Sequence, residues 1–170
     1  MSSLRLTRWI IAAAMTLAPL APALAQENQV ARTTEGDITR FASLRADDVN
    51  VRAGPGVRYP VKWKFVQKNM PVQVIAEYDT WRKIRDWEGA EGWVHRAMLS
   101  GKRSLIMTGQ GQTLRRDATD DSAAVARLAA GYVVTVSRCR LDWCEVDADG
   151  YEGWIKREGV WGVGAGEKLQ

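Results

Sequence analysis

Residues 81–95 read WRKIRDWEGAEGWVH and residues 143–155 read WCEVDADGYEGWI, and the likeness of these two stretches decides how the rest of the chain is read. Each runs from a tryptophan through alternating apolar and polar positions into a glycine-containing turn, then into Glu-Gly-Trp and a β-branched residue. That alternation is the period of a half-buried strand. Residues 81–86 and 91–95 are therefore expected to form one hairpin around Trp87-Glu88-Gly89-Ala90. Residues 143–147 and 151–155 are expected to form a second around Ala148-Asp149-Gly150, where Asp-Gly supplies the positive φ of a tight turn.

Extending the comparison outward reveals a tandem duplication. Val51-Arg52 matches Leu114-Arg115 at an offset of 63, Val72, Val74, Trp81 and Ile84 match Val134, Val136, Trp143 and Val146 at 62, and Glu91-Gly92-Trp93-Val94 matches Glu152-Gly153-Trp154-Ile155 at 61. The offset shrinks by one at each of two loops rich in Gly and Asp, where single deletions are tolerated. The alanine-rich segment around residues 122–130 suits a helix by composition, but its repeat partner, 61–68, reads as a strand, and a strand is expected in both. Some 55–60 residues of short strands cannot build a large sandwich. The predicted fold class is all-β, with two small, partly open barrels in tandem.

The N-terminal end has a different character. Arg5 and Arg8 precede an apolar run from Trp9 to Leu20, and Ala23-Leu24-Ala25 follows as a small-residue cleavage site. This is the three-part pattern of a secretory signal peptide, too short for a membrane span. The expected organisation is a signal peptide at 1–25, a flexible leader at 26–40, domain 1 at 41–101, domain 2 at 102–161 and a Gly-rich tail at 162–170. The mature protein is expected to be exported and periplasmic, with no stable membrane insertion once the signal is cleaved.

Composition excludes much chemistry. The chain has 170 residues, 26% of them charged, with eight Trp against two Phe. Its single histidine, His95, joins Cys139 and Cys144 as the only His or Cys side chains, one short of a four-ligand zinc site built from those types. Asp47-Asp48 and Asp120-Asp121 lack EF-hand spacing and read as loop turns. No catalytic residue, metal site or cofactor is expected. Cys139 and Cys144 flank Arg140-Leu141-Asp142-Trp143, so a hairpin with a four-residue loop would bring them face to face as a disulfide, which export permits. The Cys-x-x-Cys spacing of a redox pair is absent.

Charge is unevenly distributed. Residues 40–103 carry 13 basic and 7 acidic side chains, a balance of +6, whereas residues 104–170 carry 8 and 10. Outside the cytoplasm the anionic partners for such a module are wall-peptide carboxylates, lipid head groups or acidic proteins, and nucleic acid is not expected. A solvated basic face is the plainer alternative.

Val49-Asn50-Val51-Arg52-Ala53-Gly54-Pro55-Gly56, Tyr59-Pro60-Val61, Met70-Pro71-Val72, Trp81-Arg82-Lys83-Ile84 and Glu91-Gly92-Trp93-Val94-His95 together resemble the bacterial SH3-like (SH3b) domain. Repeat 1 matches along nearly its whole length. Repeat 2 departs in the first loop, where Arg116-Asp117-Ala118 replaces Ala53-Gly54-Pro55. The resemblance implies a non-catalytic module that binds cell-wall peptidoglycan or, alternatively, serves as a protein-interaction adaptor for an envelope enzyme or complex.

The candidate ligand-binding residues are Arg52, Tyr59, Trp63 and Trp81: rings for apolar or sugar faces beside a guanidinium for a carboxylate. Tyr59 and Trp63 have no aromatic counterpart in repeat 2, which favours a ligand role. For Trp81 and Trp93, repeated as Trp143 and Trp154, barrel filling is the weightier expectation, and Arg52, repeated as Arg115, is also suited to holding its loop through backbone carbonyls.

Overall fold

The computed structural model describes residues 39–169. The expected signal peptide and residues 26–38 of the expected leader lie outside them. The first sheet comprises β1 (Arg40–Leu44), β2 (Val49–Arg52), β3 (Val61–Phe65), β4 (Pro71–Tyr78), β5 (Trp81–Arg85), β6 (Glu91–His95) and β7 (Leu99–Ser100). The second comprises β8 (Ser104–Met107), β9 (Gln112–Arg115), β10 (Ala124–Leu128), β11 (Val133–Arg140), β12 (Trp143–Ala148), β13 (Tyr151–Lys156) and β14 (Val160–Trp161). Spatial orders are β3-β2-β6-β5-β4-β1-β7 and β10-β9-β13-β12-β11-β8-β14, so each strand of the second sheet takes the place of its counterpart in the first. In neither sheet do the two end strands pair, so each barrel is partly open. The alanine-rich segment is a strand, β10, as its repeat partner indicated. A three-residue 3-10 turn, Arg96–Met98, is the only helical element among the described residues.

Alternation fixes what each strand buries. Leu44, Val49, Val51, Val72, Val74, Ile84 and Val94 point into the first barrel, where Trp63, Phe65 and Met70 pack against them. Leu105, Met107, Leu114, Val134, Val146 and Ile155 fill the second, together with both cysteines. Each such burial stabilises the fold by roughly 1.5–3 kcal/mol. The four repeat-paired tryptophans belong to neither interior cluster, although Trp154 is buried. Gly92 and Val94 point inward on β6, so Trp93 between them points outward, and Trp81, Trp143 and Trp154 share that outer surface.

Cys139 and Cys144 pair directly across β11 and β12 and are disulfide-bonded, with Cα atoms 4.1 Å apart. The hairpin is tighter than the four-residue loop expected. Arg140 pairs with Trp143, which leaves a two-residue turn, Leu141-Asp142, with Leu141 at φ 50°.

The barrels share a buried contact. Phe41 and Ser43 on β1, Ile75 on β4 and Ser104 and Ile106 on β8 face away from their own cores. Yet Ser43, Ile75, Ser104 and Ile106 are buried, and β4 and β8 come together from the two barrels. Phe41 meets Trp161 edge-on at 5.0 Å, and the Ser104 hydroxyl reaches Ser43 and donates to the Asn69 carbonyl. The guanidinium of Arg103 lies over Phe41 while donating to Glu167 and to the Gly162 carbonyl. Beyond β14 the chain returns along the second barrel, and the Leu169 carbonyl accepts from the Cys139 N–H at the edge of β11.

Candidate functional site

The β2–β3 loop is held from its root. Arg52 Nη1 donates to the carbonyls of Val57 (3.0 Å) and Tyr59 (2.8 Å). In the second barrel Arg115 makes the corresponding bond to the Ser122 carbonyl at 2.7 Å. The loop-holding role thus repeats, even though the loop sequences differ. The Tyr59 ring lies directly against Gly54, with Arg58 over it at 5.8 Å. Trp63 pairs with Val51 on the core side of the sheet, edge-on to Phe65. Ala126 takes its position in the second barrel, opposite Leu114. Of the four candidates, Arg52 and Tyr59 are in direct contact, Trp63 sits on the core side, and Trp81 lies with Arg52 on the outer face.

That outer face is a ladder of cross-strand pairs. Arg52 on β2 faces Trp93 on β6, which faces Lys83 on β5, which faces Ala76 on β4. The next rung holds His95, Trp81 and Tyr78, with the His95 and Trp81 rings edge-on at 5.5 Å. On the other side Arg85 faces Glu91, whose carboxylate binds Lys83 at 2.9 Å and Arg85 at 2.6 Å. These two cations hold the Glu91 carboxyl below its ordinary range. Trp93, which sequence reasoning assigned to packing, stands at the centre. The available signal was its position between two inward residues in a strand of period two.

The second barrel carries the same rungs with different side chains. Arg115, Trp154, Glu145 and Arg138 replace Arg52, Trp93, Lys83 and Ala76, and Lys156, Trp143 and Arg140 replace His95, Trp81 and Tyr78. Arg138 and Arg140 lie over the Trp154 ring at 5.2 and 4.8 Å, and Glu145 pairs with Arg138 at 2.8 Å. Trp154 is left only 6% exposed. Lys156 covers Trp143 at 5.6 Å and is tied to Asp120. Among the described residues no cation lies over Trp81 or Trp93.

The acidic pairs have local partners. Asp47 accepts from the Lys68 N–H, Asp48 pairs with Lys64 and Asp120 with Lys156, while a hydrogen bond from Thr119 holds the Asp121 carboxyl below its usual range. Among the described residues no three His, Cys, Asp or Glu side chains converge as metal ligands, and no helix is long and apolar enough to cross a membrane.

The described residues thus form two small barrels in tandem, the first with half-buried tryptophans on its outer face edged by cations. The family model described as Bacterial SH3 domain matches residues 45–101 and 108–162, and the chain belongs to that family. The chain is also 27% identical over 150 residues to "Putative N-acetylmuramoyl-L-alanine amidase YrvJ" of Bacillus subtilis (strain 168). That match covers 78% of this chain but only 28% of the relative. Solved structures of NlpC2 and NlpC1 from Trichomonas vaginalis align over 74% of this chain, and over 48% and 46% of theirs, each at 11% identity and a TM-score of 0.35.

Proposed function

We propose that this protein is a non-catalytic, exported module that binds cell-wall peptidoglycan through its first SH3-like domain, acting in the periplasm. The carrying observation is the open outer face of that domain, where Trp81 and Trp93 lie beside Lys83, Arg85 and Arg52. Indole faces suit sugar rings, and the cations suit the carboxylates that a wall polymer presents. The +6 balance of residues 40–103 adds long-range attraction, and the name of the Bacillus subtilis relative is that of a wall-cleaving enzyme. Purified peptidoglycan should retain the mature protein at low salt. Lys83→Glu/Arg85→Glu should reduce that retention, and absence of retention of the wild type overturns the reading. Binding should also weaken with added salt, because Arg85 is exposed and Lys83 half-exposed and the screening length is about 10 Å at 0.1 M.

A second reading, an adaptor for an envelope protein, is favoured by the outer edges of β3 and β10, which no strand among the described residues pairs and which suit strand addition by a partner. Crosslinking in intact cells should then recover one protein in stoichiometric amount, and recovering none counts against it.

A further inference from the structure

We infer that the outer face of the first barrel binds an acidic glycan, a chain of pyranose rings bearing free carboxylates, and that the second barrel has closed the same site with its own side chains. This rests on the wall-binding reading and gives it a ligand class and a location.

The two barrels serve as each other's control. At Trp154 the ring face is already occupied: two guanidinium groups stack on it, and one is anchored by Glu145 on the neighbouring strand. Trp143 is occupied in the same way by Lys156. Moving to the first barrel rung by rung, the cations over the two rings and the carboxylate that anchors one of them are replaced. Arg138 and Arg140 become Ala76 and Tyr78, so β4 supplies no cation to either ring. Lys156 becomes His95. On β12, the anchoring carboxylate Glu145 becomes Lys83, and Asp147, which accepts from the Gly150 N–H, becomes Arg85.

These replacements specify a ligand. Trp93 is half-buried with no cation over its ring among the described residues, and Lys83 and Arg85 would repel a cation arriving from outside. The apolar C–H face of a pyranose stacks on an indole without needing charge. A carboxylate on that sugar would then meet an edge with one cation in excess, since Glu91 alone balances Lys83 and Arg85, and charge-assisted bonds to such an edge are the strong ones. Arg52 borders Trp93 on the opposite side, its Nη1 committed to the loop carbonyls. The loop therefore positions one wall of the site.

The probe is peptidoglycan glycan from which the stem peptides have been removed, leaving a free carboxylate on each muramic acid. It is titrated calorimetrically into the full mature chain at low salt. Chitooligosaccharide, a related sugar backbone without carboxylates, and isolated stem peptide serve as comparisons. The acidic glycan should bind at least about tenfold more tightly than the neutral one, the scale of one charge-assisted contact. Trp93→Ala should lose about as much. Tyr78→Arg/Lys83→Glu, which installs the counterparts of Arg140 and Glu145 on exposed or half-exposed positions, should also lose it while remaining folded, its melting temperature lowered only slightly by loss of the Lys83–Glu91 pair. Arg138→Ala/Arg140→Ala should leave the affinity unchanged. Equal binding of the neutral and acidic sugars, binding of the stem peptide alone, or undiminished binding by the Tyr78→Arg/Lys83→Glu variant overturns the inference. If intact peptidoglycan still retains the protein in that event, the wall-binding reading stands without it.

Discussion

Gly92 and Gly153 occupy the same rung of the two barrels and lack a side chain for the same reason. A Cβ on Gly92 would stand 2.4 Å from Val51 Cγ1 and 3.1 Å from the Arg52 carbonyl, and one on Gly153 would stand 2.5 Å from the Arg115 carbonyl. Overpacking of this kind costs about 1–3 kcal/mol. Gly153→Ala should be the worse of the two, because its obstacle is backbone, and denaturant unfolding of each variant gives the comparison. Leu141 is the converse case, a bulky residue in the left-handed region with 84% of its surface in water. Leu141→Asn should raise stability by about 0.5–1 kcal/mol, since asparagine tolerates that conformation better. The Glu-Gly-Trp landmark was legible because close backbone approach forces the same glycine twice. The side chains over Trp154 were not. Which residues share a rung with it depends on the bulge that inserts Ser137, as Ile75 does in the first barrel, and spacing along the chain does not reveal the extra residue. The tryptophans were expected in the core because repeated aromatics suggest packing, whereas strict alternation turns them outward.

At the level of elements, the Cys139–Cys144 link and the returning C-terminal segment both act on β11. The disulfide closes a short loop, with a sequence separation of 5, so chain entropy gives it only about 2 kcal/mol. Cys139→Ser/Cys144→Ser should lower the unfolding midpoint by a corresponding amount. The returning segment hangs on Glu167, whose carboxylate binds Arg103 and accepts from the Gly164 N–H. The hydrogen bond from Arg103 holds the Glu167 carboxyl below its ordinary range. A depressed folded value means that the attachment is fully present above the unfolded glutamate pKa of about 4.3 and is lost as pH falls through the folded value. Hydrogen exchange at the Cys139 N–H should therefore speed up as pH drops below about 4 relative to intrinsic exchange, and Glu167→Gln should show the faster exchange already at neutral pH. The strand inventory was readable from turn residues and alternation. This attachment was not, because a Gly-rich sequence carries no signal for where it folds back.

Across the whole molecule, the buried contact between the barrels should make them unfold together. Phe41, Ile75, Ile106 and Trp161 place apolar surface on the outer side of strands whose inner side already serves a core, so separating the barrels would expose it. Calorimetry should show one transition for the two barrels. Ile106→Asp, which puts an unpaired charge into that contact, should split it into two or lower its midpoint by several degrees. A single unshifted transition would show that the contact contributes little. The tandem architecture was evident from the repeat, but this contact was not, because outward positions that meet another barrel look like ordinary strand alternation. Enclosure of Trp154 beneath Arg138 and Arg140 also has an optical consequence. Its indole is shielded from water, while Trp87 is 40% exposed and Trp81 and Trp93 are partly so. Aqueous quenchers should therefore extinguish part of the protein's emission and spare a fraction that includes Trp154, so that this one ring reports on the closure above it without any label.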